Sequence, residues 1–452
     1  MSADSKQPQQ QPPSPDEGRA ASGAADAASL LLRNARLTDG RTVDVRLSGG
    51  RIEAVGTAGS LGPTGGARAR VDLGGYLLLP APAEPHAHPD TALTADLTAD
   101  LTADLADGPA ALGSVPYGVE EVQRRATEAA LLQLGHGATA LRAHVGIGDG
   151  QGLGSLEAVL QARRALRGLT DLAAVAVPGL LTGTAGADGR ALLRDAVATG
   201  ASVLGGRPEL DPDPNGYVEL VLALAVEHGR PVDLHTDGND PAFLARLAAM
   251  AADVRAEVTI GPCAGLVRLS GELARRTADR LAAAGVNVVC LPQGRCAAAG
   301  TRGTAPVRLL RAAGVRVAAG GGALRDVCNP VGRGDPLEAA YLLASLDGVA
   351  ERAAYGAVSA DARAAMGLAE VRVEAGFPAE LLAVRGARLA GVLSQAYSRI
   401  VVHRGRVVAR TSAVREYCDS AAALDLPRQA ARPERPDRPD STGPGGPGAV
   451  RS

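Results

Sequence analysis

His86 and His88 stand either side of Ala87, after the apolar run Tyr76-Leu77-Leu78-Leu79 and the segment Pro80-Ala81-Pro82-Ala83-Glu84-Pro85. Side chains on a strand alternate faces, so residues i and i+2 can aim both imidazoles at one point. Two neutral imidazoles are part of a ligand set for a divalent ion, which takes three or four protein ligands. Alone, the pair is equally compatible with two ordinary loop histidines. A third candidate ligand comes from Pro231-Val232-Asp233-Leu234-His235-Thr236-Asp237, another apolar strand ending on histidine. At the C-terminal rim of a parallel barrel His86, His88 and His235 would converge.

The surrounding elements suit that arrangement. The run at 76–79 reads as a buried strand, the first of the barrel. Helical stretches at 119–134, 156–169, 192–199, 217–228, 241–250, 271–284 and 307–313 alternate with strand-like runs at 139–145, 172–177, 202–204, 232–235, 257–260, 286–291 and 315–318. With 76–79 these make about eight strands, favouring an α/β fold of the closed (β/α)8 TIM type over an open doubly wound sheet. No phosphate-binding glycine loop follows the first strand, and Gly320-Gly321-Gly322 lacks the dinucleotide spacing. Strand-like runs at 30–32, 43–47 and 51–55, with Gly49-Gly50 as a hairpin signal, precede the barrel. Others at 380–384, 399–402 and 405–409 follow a helical region at 335–366. The two sets are expected to join as a small antiparallel β-sandwich built from both ends of the chain. The expected division is a disordered tail over 1–28, a β domain over 29–75 plus 378–412, a barrel over 76–377, and a second disordered tail over 427–452.

Composition bounds the function classes. Of 452 residues 46% are hydrophobic but only 2% aromatic, so the core must pack through Ala, Val and Leu. A net charge of −2 argues against nucleic acid as a partner. No apolar run reaches the 18 or more residues of a membrane span, and residues 1–19 carry no apolar signal core, so the cytoplasm is the expected location. Cys263, Cys290, Cys296, Cys328 and Cys418 form no CxxC pair or zinc spacing and read as reduced thiols. Leu-Thr-Ala-Asp repeats from Leu93 through Asp104 and blurs at Leu105-Ala106-Asp107; it reads as a solvated face.

At the histidine motifs the chain resembles the cytosine deaminase branch of the amidohydrolase superfamily. Glu84-Pro85-His86-Ala87-His88, Leu141-Arg142-Ala143-His144-Val145, Val232-Asp233-Leu234-His235, residues 314–320 and Asn329-Pro330-Val331-Gly332 carry the likeness, in order, across residues 30–410. It implies a metal-dependent barrel that activates water for attack on a cyclic amidine-like carbon and releases ammonia. One divalent ion, zinc or iron, would be held by His86, His88 and His235. Arg142 and His144 share a strand face and are expected to line the substrate pocket, while His136, His228 and His403 are expected in loop-like or exposed places.

The likeness is incomplete. Pro262 stands where the next strand should end in histidine, Gly238 where the family has its acid/base glutamate, and Gly322 where it has a metal-binding aspartate. Pro178-Gly179 replaces the substrate-amide glutamine. Asp237 and Asp240 are the candidate substitutes, although a shift of one strand position turns Asp237 to the other face. Asp326 lies four residues beyond Gly322, outside the family's metal set. Losing a general acid/base typically removes about 10²–10⁴-fold in rate. Two expectations follow: an amidohydrolase of altered or weakened activity, or a catalytically inactive barrel that binds a small molecule or a partner protein. A small-molecule ligand is expected in either case, and the resemblance is compatible with a homo-oligomer.

Overall fold

The computed structural model describes residues 29–62, 67–98, 117–148, 150–294 and 303–413. Both expected disordered tails, the acidic repeat beyond residue 98, Cys296 and Cys418 lie outside the described residues. No described helix is long and apolar enough to cross a membrane.

The chain opens with β1 (Ser29–Arg36), β2 (Thr42–Ser48), β3 (Arg51–Thr57), β4 (Ala67–Asp72) and β5 (Tyr76–Pro80). Strands and helices then alternate: β6 (Glu84–Ala87), α1 (Val119–Gly135), β7 (Ala140–Ile147), α2 (Gly154–Ala165), β8 (Asp171–Pro178), α3 (Ala187–Thr199) and β9 (Val203–Gly206). There follow α4 (Pro214–His228), β10 (Val232–Thr236), α5 (Pro241–Ala252), β11 (Val258–Pro262), α6 (Gly271–Ala283), β12 (Asn287–Cys290), α7 (Val307–Ala312) and β13 (Val317–Ala319). A short hairpin, β14 (Leu324–Asp326) with β15 (Asn329–Arg333), leads to α8 (Pro336–Ser345), α9 (Glu351–Val358) and α10 (Ala360–Ala365). The described chain ends with β16 (Leu381–Arg385), α11 (Leu389–Gln395), β17 (Arg399–His403) and β18 (Arg406–Thr411).

Strands β6 to β13 pair in sequence order as one eight-stranded parallel sheet, and a bridge between Ala87 and Gly322 joins its two ends into the barrel. Three helices begin with an Asp cap followed by Pro: Asp213-Pro214 on α4, Asp240-Pro241 on α5 and Asp335-Pro336 on α8. The carboxylate accepts from a first-turn amide and the proline fills a position that needs no donor, so each helix starts at a defined residue.

The run at 76–79 is a strand, but not a barrel strand. β5 pairs with β16 and β1 in the terminal sheet, and the barrel's first strand is β6, with His86 inside it. The reason lies in its two faces. Leu77 and Leu79 pack into the barrel's core cluster while Leu78 packs into that of the terminal sheet. A strand covered on both sides loses the apolar–polar alternation and looks like a parallel barrel strand. The terminal sheet is also mixed, because β1 runs parallel to both β4 and β5; only its remaining pairings are antiparallel.

Buried ion pairs join the terminal strands to the barrel. Arg399 on β17 donates to both oxygens of Asp335, at 2.8 and 2.6 Å, and to the carbonyl of His136 at 2.5 Å. His403, expected in an exposed or loop-like place, ends β17 fully buried, its Nδ1 2.8 Å from Oε2 of Glu380.

Candidate functional site

Four histidines meet at the C-terminal rim. His86 comes from β6, His88 from the residues just after it, His144 from β7 and His235 from β10. His88 Nε2 lies 3.2 Å from His86 Nε2 and 3.4 Å from His235 Nε2. The ring centroids of His86 lie 4.0 Å from His144 and 4.6 Å from His235. Ligand atoms of His86, His144 and His235 all fall within 4.8 Å of one another. The two-residue spacing of the motif brings His86 and His88 together as expected. The structure adds His144, which the sequence had placed as a pocket-lining residue.

Burial disfavours the charged form of all four imidazoles. Burial, then the charges of Arg207 and Arg142, pull the His86 pKa down to about 3. Burial does the same to His88, His144 and His235, each held well below the ordinary histidine range, with neighbouring histidine charges adding to it. His86 Nδ1, His235 Nδ1 and both ring nitrogens of His144 are buried with no hydrogen-bond partner. Closely packed neutral imidazoles with unsatisfied nitrogens have lone pairs available to a cation, and no carboxylate is needed to balance a three-histidine site. The residues present fit a divalent ion.

Arg142 does not line an open pocket. It is 1% exposed, and its Nη1 donates to Asp233 Oδ2 at 2.8 Å inside the barrel. Burial pushes the Asp233 carboxyl up to about 6 against the pull of Arg142. His144 Nε2 lies 3.7 Å from the same oxygen, so the pair forms the floor beneath the cluster.

The three positions lacking the expected side chains have their own geometry. Gly238 is buried with φ +72°, and Gly322 has φ +67°. Side chains other than glycine rarely adopt that backbone, so these loops are not simply the expected ones with a side chain trimmed off. Pro262 pairs in register with Thr236, next to the His235–Gly261 pair. Asp240 Oδ1 accepts from the Ala242 amide at 2.8 Å as the cap of α5, which removes it as an acid/base candidate. Asp237 is half-buried; its carbonyl accepts from Gly265 at 2.6 Å, and its charge helps push up the buried Cys263 thiol.

Several rim residues were given no role by the sequence reading. Glu84 is buried and accepts from the amides of His86 at 3.1 Å and Gly321 at 2.8 Å. Asp90 is buried, its Oδ2 accepting from the Gly146 amide at 3.1 Å and its Oδ1 left without a partner. Glu84, His86, His88 and Asp90 recur every two residues, a spacing that would have flagged all four. Burial pushes Asp326 up to about 6, opposed by the amides of Asn329 and Cys328 and helped by the charge of Asp90. Glu209 holds the turn after β10 through Thr236 Oγ1 at 2.5 Å and the Asp237 amide at 3.3 Å. Arg207 follows β9 directly and is half-buried.

Comparison with known proteins gives a consistent picture. The profile described as "Amidohydrolase family" matches residues 93–409. Over 299 residues the chain is 29% identical to a pterin deaminase of Rhizobium rhizogenes, covering 61% of this chain and 67% of that enzyme. Among solved structures, N-isopropylammelide isopropylaminohydrolase from Burkholderia multivorans superposes with a TM-score of 0.75 at 27% identity, covering 86% of this chain and 100% of that one. The 5-methylcytosine deaminase from Klebsiella pneumoniae, liganded with phosphonocytosine, superposes with a TM-score of 0.73 at 25% identity over 86% of this chain and 100% of that one.

Proposed function

The chain belongs to the amidohydrolase family, and from that premise we propose that it binds a divalent metal ion and a cyclic amidine-like heterocycle, and hydrolyses a C–N bond of that ring slowly. The names of its relatives, which cover a pterin, a triazine-type ring and 5-methylcytosine, suggest this substrate class. The observation that carries the reading is the cluster of four imidazoles at the barrel rim, of which His86, His144 and His235 keep buried ring nitrogens without a hydrogen-bond partner. An ion held there would supply Lewis acidity toward a water and toward the ring. His86, His88 and His235, with His144 beside them, would hold it, and the Arg142–Asp233 pair supports His144 from below.

Slowness follows from the groups that are missing. Position 238 offers no carboxylate to take the water's proton and deliver it to the leaving nitrogen, and position 322 offers none beside the ion. Asp90 Oδ1, buried and unpartnered two residues after His88, is an atom at which this chain can hold a proton near the histidines. The second reading, a barrel that binds the ring without hydrolysing it, is favoured by one specific observation. Both vacated carboxylate positions are glycines in left-handed backbone, a geometry adapted to the absence of a side chain.

Elemental analysis of the purified protein and of the His86→Ala, His88→Ala variant tests the metal site. A near-stoichiometric ion lost in the variant supports it; a protein that is empty and takes up neither zinc nor iron sinks it. Ammonia or amine release from pterins, pyrimidines and aminotriazines then separates the two readings. Metal-dependent turnover supports the hydrolase; ring binding without turnover supports the inactive barrel.

A further inference from the structure

Arg207 is a cationic side chain at the rim that neither the family likeness nor the metal reading uses. It directly follows β9, where Gly206 pairs with Leu234, so the next ladder position sets it level with His235. It is half-buried, and among the described residues its side chain has no hydrogen-bond or ion-pair partner. Among the described residues none of the acidic groups around it hydrogen-bonds to it, although its charge acts on Asp90 against the rise that burial causes there. Glu209 holds Thr236 and the Asp237 amide, Asp90 accepts from Gly146, and Asp326 accepts from Cys328 and Asn329. Gly238 and Gly322 contribute no charge. The rim therefore presents a guanidinium with free donors at the ladder level of His235.

Leaving the donors of a partly buried guanidinium without acceptors is costly, and its planar fork of donors matches an oxyanion. We propose that the ligand of this site is a planar heterocycle bearing an oxyanion, either a ring carboxylate or an ionised ring oxygen, and that Arg207 pairs with that group. The inference rests on the reading of the rim as a heterocycle site and narrows it to the anionic members of that class. An anion seated between Arg207 and the histidines would meet a favourable field from the guanidinium.

Calorimetric titration of the full chain with matched probes tests this. The pairs are uracil against orotate and pterin against pterin-6-carboxylate, with barbiturate as an ionised ring oxygen and benzoate as an anion lacking ring nitrogens. A charge-assisted pair predicts about 10–100-fold tighter binding of the anionic member. Arg207→Gln should reduce that member to the affinity of its neutral counterpart and leave the counterpart unchanged, and Arg207→Lys should keep part of the preference. Tighter binding of barbiturate but not of the carboxylates assigns the oxyanion to a ring oxygen, and the reverse assigns it to a carboxylate. Equal affinities within the pairs, with no gain for barbiturate, overturn the inference while the heterocycle reading stands. A preference that survives Arg207→Gln does the same. Benzoate binding that depends on Arg207, with no binding of any ring probe, keeps the anion site and overturns the heterocycle reading. No binding of any probe overturns both.

Discussion

At Gly238 the chain lacks more than a carboxylate. With φ +72° any side chain would be strained, and a Cβ there would sit 3.2 Å from Leu266 Cγ, inside ordinary contact distance. Gly238→Glu is therefore predicted to cost about 1–3 kcal/mol of stability, read from urea midpoints, and to restore little hydrolysis by itself. A stable Gly238→Glu variant with strong turnover would show that the loop is still built for the missing group. Glu84 makes a contrasting case. Burial pushes its carboxyl up to about 7, against the amides of Gly321, His86 and Gly322 that bond to it. Glu84→Ala strands those buried donors at a cost of about 1–3 kcal/mol each. It should lower both the thermal midpoint and the metal content of the protein; unchanged metal content would mean that the His86 strand is positioned without it.

Among the elements, the parallel strands were legible and their assignment to sheets was not. β10 announced itself as an apolar run ending in histidine and β7 as a strand-like run at 139–145 carrying His144, and the structure sets His144 and His235 on one rim with ring centroids 4.7 Å apart. β5 misled because cores on both sides erase alternation, a property set by what lies across it and not by its own residues. Arg142 misled for a related reason: its face was read correctly, but its depth depends on Asp233 from a strand 91 residues away. Removing one member of such a buried pair is expected to cost about 3–5 kcal/mol. Asp233→Ala should therefore destabilise by that order, and the double variant Arg142→Met, Asp233→Leu should recover much of it. Equal destabilisation of single and double variants would show that packing, not the uncompensated charge, carries the cost.

Across the whole molecule, buried carboxylates fasten strand β17 to its surroundings. Burial alone would raise the Asp335 pKa, but the hydrogen bonds and charge of Arg399 hold it below the ordinary aspartate value. Glu380 is likewise lowered, burial being outweighed by the hydrogen bond and charge of His403. A carboxyl with a depressed folded pKa binds fewer protons folded than unfolded, so its contribution is complete above the unfolded value and is lost as pH falls through the folded one. Urea stability is thus predicted to decline as pH drops below about 4, and Arg399→Ala should both weaken the protein at pH 7 and flatten that decline. A wild-type profile unchanged down to pH 3 would argue against these links.

Taken alone, the sequence determined the α/β alternation, the His-x-His pair, the strand-end His235 and the replacement of three expected side chains by Gly238, Pro262 and Gly322. Each of these is local, readable from spacing and residue type within a few positions. Tertiary structure alone decided that His144 joins the other three imidazoles, that Arg142 is taken up by Asp233, and that Arg207 reaches the rim without a hydrogen-bond partner among the described residues. Those outcomes depend on which strands become neighbours when the sheet closes. Residues far apart in the chain meet only at closure, and burial there sets which nitrogens stay neutral and which charges stay unpaired.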